Sequence, residues 1–237
     1  MTKPVVFFPG TLCDERLWMQ TWRKLNIQDR RYVPLQWANT LEEMLSITQH
    51  TIGKDKVHLV GFSMGGYIAS LAATQWPQHI ASLTLISFAS EGLTDQEVKQ
   101  RQSIISAIKN KRYQGMSDNR LAVFLSKPTN DSSKQGGRDQ AAETMRSMES
   151  DLGPSVLRYH IEATTPRPSI THQLKKLNCP IHVISGADDA LVSANALKEM
   201  KSVLKKAKFT QLANCGHMLP LENAEEISQL ISELTST

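Results

Sequence analysis

The chain has 237 residues, of which 40% are hydrophobic and 21% charged, proportions typical of a globular protein with one large core. Its formal net charge of +4 is dispersed, without a basic stripe interleaved with aromatic residues, so we expect no nucleic-acid partner. No apolar run approaches the ~18–20 residues of a membrane span, and the first ten residues lack the pattern of a signal peptide. These features predict a cytoplasmic protein without membrane contact.

Strand-like apolar runs alternate with helix-compatible segments along most of the chain. Strands are expected at residues 5–8, 32–35, 57–60, 83–87, 181–185 and 209–212. Helices are expected at 41–52, 66–76, 194–206 and 222–234. This alternation predicts an α/β fold with a mostly parallel sheet covered by helices on both faces.

The strand rhythm disappears between residues 91 and 170. Helical spacing of apolar residues predicts helices near 96–112, 119–125 and 138–149, separated by 127–130 and by Gly136 and Gly137. The sequence therefore predicts an α/β core formed by 1–90 and 171–237, with a helical insertion of 91–170.

The most specific chemical motif is the sequence G-F-S-M-G at residues 61–65. It follows the apolar run at 57–60 directly and precedes a helix-compatible segment. A strand, a cramped turn and a helix would place the Ser63 hydroxyl at the tip of a strained bend, with glycines where side chains would collide. This arrangement predicts a nucleophilic serine.

A nucleophilic serine requires a base and an acid that orients the base, in the chain order Ser, Asp, His for this kind of elbow. Asp188 and Asp189 follow the expected strand at 181–185, and His217 follows the expected strand at 209–212. Each candidate lies just beyond the carboxyl end of a strand, where open α/β sheets carry their functional groups. The order therefore predicts a Ser-His-Asp triad.

These motifs resemble the α/β-hydrolase superfamily, and the resemblance covers nearly the whole chain. Within that superfamily, the chain resembles the branch of capped serine hydrolases that contains the biotin-pathway methyl esterase and the menaquinone-pathway cyclohexadiene carboxylate synthase. The resemblance implies an α/β-hydrolase fold in which residues 91–170 form a helical cap. It also selects Asp189 over Asp188 as the acid, because relatives carry the acid three residues after the loop glycine, here Gly186.

The same resemblance implies an oxyanion hole formed by the backbone N–H groups of Thr11 and Met64. The turn that contains Thr11 departs from the family pattern, since Pro9 stands where relatives carry histidine. Candidate substrate-binding residues are Leu12, Phe124, Arg120 and Arg158. Arg167 is a further candidate for binding a substrate carboxylate. Candidates for a lipophilic pocket are Met116, Met145, Met148 and Leu152, beside Phe124.

The predicted function is cleavage of a carboxylic ester, or a related acyl bond, of a small molecule through an acyl-enzyme on Ser63. One alternative is a lyase that uses the same triad to abstract a proton from a carboxylate substrate. Another is a ligand-binding protein without turnover. The resemblance implies no cofactor, and we expect a monomer or a homodimer.

The remaining histidines and the cysteines do not indicate a metal site, since no His-x-x-x-His pair occurs. His58 and His182 lie within expected strands, where packing is the expected role. Four histidines are expected to face solvent: His50, His79, His160 and His172. Three cysteines are expected to be free thiols: Cys13, Cys179 and Cys215.

Overall fold

The structure is a computed structural model that describes residues 3–235. The described strands are β1 (Val5–Phe8), β2 (Arg30–Tyr32), β3 (Val57–Phe62), β4 (Ile80–Ile86), β5 (Ile181–Gly186) and β6 (Lys208–Leu212). They form one sheet in the order β2-β1-β3-β4-β5-β6, and every neighbouring pair is parallel. The predicted parallel α/β sheet is confirmed.

Helices connect the strands and cover the sheet. They are α1 (Met19–Lys24), α2 (Leu41–Ile52), α3 (Met64–Gln75), α4 (Asp95–Lys109), α5 (Asp118–Phe124), α6 (Ser132–Ala163), α7 (Thr171–Leu174), α8 (Ala194–Val203), α9 (Leu219–Glu222) and α10 (Ala224–Thr235). Single 3-10 turns occur at Glu15–Leu17, Leu35–Trp37 and Pro77–His79. Within residues 3–235, no helix has the length and apolar character needed to cross a bilayer.

The sheet is buried on both faces because alternate residues of each central strand enter different apolar clusters. In β1, Val6 and Phe8 pack into the cluster that contains residues of α2, α3 and α8. Val5 and Phe7 pack into the opposite cluster, which contains Trp18 and residues of α6 and α10. This two-sided burial explains why the central strands appear in the sequence as continuous apolar runs.

The edge strand β2 is the main difference from the predicted strands. The prediction placed it at 32–35, whereas the structure has Arg30–Tyr32 paired with β1. Pro34 has no N–H to continue a strand ladder, and the chain turns into the 3-10 segment Leu35–Trp37. Because β2 is a half-exposed edge strand with two arginines, it carries no apolar run that pattern analysis could detect.

The segment between β4 and β5 contains α4, α5 and α6, as expected, and the division into core and cap stays a prediction. The predicted helix at 138–149 is part of α6 (Ser132–Ala163), and the prediction that Gly136 and Gly137 form a break before this helix is wrong. Both glycines lie in the early turns, where the Asp131 carboxylate caps the helix, and each costs only about 1 kcal/mol. The interruption falls instead at Gly153, where φ is 74°, directly before Pro154.

His58 and His182 pack inside the sheet as predicted. The His58 Nδ1 lies 2.7 Å from the Ser82 hydroxyl on β4, and the His182 Nε2 lies 2.8 Å from the Thr210 hydroxyl on β6. Burial, followed by the charge of a nearby lysine, lowers the pKa of each imidazole to about 4. Both are therefore neutral cross-strand partners at neutral pH.

These lowered pKa values predict a loss of stability in mild acid. The unfolded chain protonates the imidazoles near pH 6.5, whereas the folded protein does so only near pH 4. Protonation therefore favours unfolding, and each histidine removes up to about 3 kcal/mol as the pH falls from 6.5 to 4. Urea denaturation across this range should show a smaller pH slope for His182→Gln than for the unmodified protein. Equal slopes would contradict this expectation.

Candidate active site

Ser63 occupies a strained bend between β3 and α3. Its φ of 51° and ψ of −116° lie outside the regions favoured by L-residues. A Cβ on Gly65 would lie 2.4 Å from the Pro9 carbonyl oxygen, and one on Gly61 would lie 2.6 Å from the Gly65 carbonyl oxygen. Glycine is therefore required at both positions, which explains the G-x-S-x-G spacing and leaves the half-buried serine at the tip of the bend.

The structure brings Ser63, His217 and Asp189 together from three separate loops. The His217 Nε2 lies 3.0 Å from the Ser63 Oγ, and its Nδ1 lies 2.9 Å and 3.1 Å from the two Asp189 carboxylate oxygens. Asp189 follows β5, and His217 follows β6. In the described part of the chain, Asp189 is the carboxylate that pairs with His217, whereas Asp188 has no such contact.

The Asp189 carboxylate fixes the orientation of the imidazole. Burial raises its pKa, but the hydrogen bonds from His217 and from the backbone N–H groups of Leu191 and Val192 outweigh burial, so its pKa is below the usual value. The carboxylate is therefore ionised at neutral pH and accepts the Nδ1–H of His217. This leaves the Nε2 lone pair directed at the Ser63 hydroxyl.

The loop that carries His217 is tied to the segment after β4. The backbone N–H of His217 donates to the Phe124 carbonyl at 2.7 Å, at the end of α5. The Glu222 carboxylate accepts from the N–H of Gly216 at 3.1 Å and from the N–H of Ser126 at 2.7 Å. Thus α5 and the loop after it position the imidazole as well as cover it.

Thr11 and Met64, the predicted oxyanion donors, lie on the two turns that meet at Ser63. Met64 is the first residue of α3, so its N–H has no acceptor within the helix. Thr11 lies in a turn closed by a 3.3 Å bond from the Cys13 N–H to the Gly10 carbonyl, and it lines the cavity in front of Ser63. Their role as oxyanion donors stays a prediction.

Comparison with known proteins identifies the family of the fold. The model of the alpha/beta hydrolase fold family matches residues 35–224. The chain belongs to the α/β-hydrolase fold family. It is 27% identical over 190 residues to a 2-hydroxy-6-oxononadienedioate/2-hydroxy-6-oxononatrienedioate hydrolase of Paraburkholderia phymatum, covering 76% of this chain and 62% of the relative. It is 26% identical over 196 residues to a monoacylglycerol lipase of Xenopus laevis, covering 78% of this chain and 56% of the relative.

Solved structures show the same fold at lower identity. An enol-lactonase from Burkholderia xenovorans LB400 has a TM-score of 0.82 at 13% identity, covering 100% of this chain and 93% of that one. A thermophilic esterase from Thermogutta terrifontis has a TM-score of 0.80 at 21% identity, covering 98% of this chain and 88% of that one. The relatives are hydrolases, and the chain spans less than two thirds of the length of the two curated proteins compared above.

A largely apolar cavity of about 250 Å³ opens at Ser63 and His217 in this α/β hydrolase. Its apolar walls include Leu12, Met116, Phe124, Met145, Met148 and Leu157. All but Leu157 were candidates from the sequence, whereas Leu152 does not line the cavity. No cluster of side chains suited to hold a metal ion occurs among residues 3–235.

Two of the three arginines predicted to bind substrate, Arg120 and Arg158, have different positions relative to this cavity. Arg120 lines the cavity and donates to the Tyr113 hydroxyl at 2.7 Å. Arg158 is absent from the cavity wall because its guanidinium pairs with Glu162 at 3.1 Å and lies 4.3 Å from the centre of the Tyr159 ring. The structure therefore does not bring Arg158 to the site. On this part of α6, the cavity is lined instead by Leu157 and by Ile161, one turn further along the helix.

Cys13 and Cys215 lie close to the site but are unsuited to act as nucleophiles. All three cysteines are free, as predicted, and these two are buried. Burial raises the pKa of Cys13 to about 12 and that of Cys215 to about 11. Both are therefore protonated thiols at neutral pH.

His160 was expected to face solvent, and this prediction is wrong. Its side chain is fully buried on α6, where the Nδ1 accepts the backbone N–H of Leu12 at 3.0 Å and the Nε2 lies 3.1 Å from the Leu35 carbonyl. Burial lowers the pKa of His160 to about 4, so the imidazole is neutral and its Nε2 donates. It holds the backbone of Leu12, whose φ is 55°, directly after Thr11. No sequence signal indicated this role, because the backbone partners of His160 lie in a distant part of the chain.

Replacing His160 by leucine is expected to lower kcat about 10- to 100-fold with little change in KM. The turn that presents the Thr11 N–H would lose its anchor, which is a weaker defect than the loss of an oxyanion donor. His160→Asn retains an acceptor near the Nδ1 position and should recover part of the rate. Ester turnover of these variants, beside the exposed-site control His172→Leu, measures the effect. An unchanged kcat in folded His160→Leu would contradict the positioning role.

Proposed function

We propose that the protein is a serine hydrolase that cleaves a carboxylic ester, or a related acyl bond, of a small molecule. The observation that carries the proposal is the continuous hydrogen-bonded array from the Ser63 Oγ through His217 to Asp189. The fold alone serves many activities, so the argument depends on this array and not on the fold.

In the first half of the reaction, the His217 Nε2 accepts the Ser63 proton while the Oγ attacks the substrate carbonyl. The backbone N–H groups of Thr11 and Met64 would donate hydrogen bonds to the carbonyl oxygen and stabilise the negative charge that develops on it. His217 then gives its proton to the leaving alkoxide, which departs as an alcohol. Asp189 stabilises the imidazolium in between, since its lowered pKa keeps the carboxylate ionised.

In the second half, water replaces the alcohol and attacks the acyl-enzyme, with His217 again acting as the base. The acid product leaves and the Ser63 hydroxyl is restored. The apolar cavity of about 250 Å³ beside Ser63 suits a hydrocarbon acyl group of modest size. The names of similar proteins, a monoacylglycerol lipase and an esterase, are consistent with acyl transfer.

Labelling with a fluorophosphonate, combined with turnover of p-nitrophenyl esters from acetate to decanoate, tests this proposal. We expect a single covalent adduct on the peptide that contains Ser63, and none in heat-denatured protein. We also expect turnover with an optimum chain length, since the cavity accepts only a limited acyl volume. These two results together would support an acyl-enzyme mechanism.

Each other outcome favours a different function. Labelling of Ser63 without turnover of any ester would favour the lyase, in which the triad abstracts a proton and no acyl-enzyme forms. Absence of labelling in folded protein would favour a ligand-binding protein and would contradict the proposed catalysis. Circular dichroism of the same sample establishes whether the protein is folded.

A further inference from the structure

A second cavity, of about 460 Å³, opens at Ser63 and His217. Its walls come from the segment after β4, from the start of α4, and from the loop between Asp189 and α8. Ser63, His217 and Arg101 line both cavities. A substrate bound at Ser63 could therefore place one part in the apolar cavity of about 250 Å³ and another part in this second cavity.

Arg101, on α4, lines the second cavity and has hydrogen-bond donors without an acceptor in the described part of the chain. Its Nη1 donates to the Thr164 carbonyl at 3.3 Å and to the hydroxyls of Thr164 and Thr165 at 3.1 Å and 3.2 Å. Within residues 3–235, the Nε and Nη2 groups have no protein acceptor, and no carboxylate lies within 4.0 Å of the guanidinium. The Nη1 thus anchors the side chain, while the Nε and Nη2 donors of the guanidinium are available to bind a ligand.

Arg167, on the segment between α6 and α7, lines the same cavity. Its Nε is buried without a hydrogen-bond partner, and in the described part of the chain it has no salt bridge. Its guanidinium lies 5.5 Å from the centre of the Tyr67 ring and 5.9 Å from that of Phe88, so aromatic faces hold it in place. Within residues 3–235 the guanidinium makes no hydrogen bond, so those of its Nη donors that face the cavity are available to an acceptor on a ligand.

The charges around the two arginines favour an anion. Burial, and next the positive charge of Arg167, lower the pKa of Arg101 to about 10, so two like charges lie close together in a desolvated place. The acidic side chains in the cavity wall are Glu97 and Glu91. The Glu97 Oε2 accepts hydrogen bonds from the backbone N–H and the hydroxyl of Thr94. Burial, and then the neighbouring Glu199, raise the pKa of the Glu91 carboxyl above its usual value.

We propose that Arg101 and Arg167 bind a carboxylate on the leaving group of the substrate. This inference rests on the proposed function, because the apolar cavity then takes the acyl chain and the second cavity takes the alcohol part. A planar carboxylate matches the paired donors of a guanidinium and would accept from the Nη groups of Arg167 that face the cavity. The substrate class is an ester of a hydrocarbon acid with an alcohol that carries a carboxylate.

A matched pair of chromogenic esters tests this inference. The probes are 3-butyryloxy-4-nitrobenzoate and its neutral methyl ester, which share the acyl group and differ only in the carboxylate. We expect kcat/KM to be about 10- to 100-fold higher for the carboxylate probe, the range for hydrogen bonds to a charged group. Arg167→Gln should reduce this ratio at least tenfold, whereas Arg146→Gln, at a surface ion pair with Asp118, should leave it unchanged.

Binding of the product provides a readout that needs no turnover. Calorimetry with 3-hydroxy-4-nitrobenzoate should give a Kd about 10- to 100-fold lower than with its methyl ester, and Arg167→Gln should remove this difference. If both esters are cleaved equally and both products bind equally, the carboxylate site is wrong while the hydrolase function stands. If the acid binds selectively but neither ester is cleaved, the site stands and the proposed hydrolysis fails.

Discussion

Replacing Ser63 by alanine is expected to lower kcat for ester hydrolysis by about 10⁵- to 10⁶-fold. The Oγ is the atom that forms the acyl-enzyme, and it lies 3.0 Å from the His217 Nε2 that would accept its proton. No other group near the site replaces it, since burial raises the pKa of Cys13 to about 12. Turnover of the preferred p-nitrophenyl ester under saturating conditions measures the loss.

The Ser63→Ala substitution should remove the chemical step of the reaction and leave the fold of the protein intact. The fold is expected to persist, because the bend is enforced by the close approach of Gly65 to the Pro9 carbonyl and not by the serine hydroxyl. Ser103→Ala, on the exposed face of α4, is the matched control and should keep full activity. Substantial turnover in folded Ser63→Ala would show that hydrolysis follows another route, such as direct attack by water.

The sequence predicted the sheet and the site together because both depend on short-range patterns. A buried parallel strand is an apolar run, and the candidate triad residues lie within a few positions of where such runs end. The steric need for glycine around Ser63 appears directly in the motif, whereas the choice of Asp189 over Asp188 came from the resemblance to the α/β-hydrolase superfamily and not from the pattern itself. The half-exposed strand β2 lacks the apolar run and was misplaced.

The walls of the two cavities depend on long-range packing, which pattern analysis does not reach. Arg101 and Arg158 both lie on helices between β4 and β5, but of these two only Arg101 lines a cavity beside Ser63. The difference arises from how α4 and α6 pack across the carboxyl ends of the strands. His160 illustrates the same limit, because its partners Leu12 and Leu35 lie more than a hundred residues away in sequence.

Replacing Asp189 by asparagine is expected to lower kcat about 10⁴-fold while leaving KM nearly unchanged. An amide that donates to the His217 Nδ1 would favour the opposite tautomer, with the proton on the Nε2. The Nε2 would then point a hydrogen at the Ser63 Oγ and could not accept its proton. The variant also lacks the ionised carboxylate that stabilises the imidazolium, so both contributions of Asp189 are lost with one atom changed.

Asp188→Asn is the matched control, because it makes the same substitution one position earlier in the same loop. Among residues 3–235, the hydrogen bond between Asp188 and the loop that carries His217 is a backbone bond, 2.9 Å from the Asp188 N–H to the Cys215 carbonyl, and the substitution leaves it in place. We therefore expect nearly full activity for Asp188→Asn. Large and equal losses in both variants would mean that the net charge of the loop matters more than contact with His217. A large loss confined to Asp188→Asn would contradict the assignment of Asp189, because it would require the loop to rearrange and present the other carboxylate.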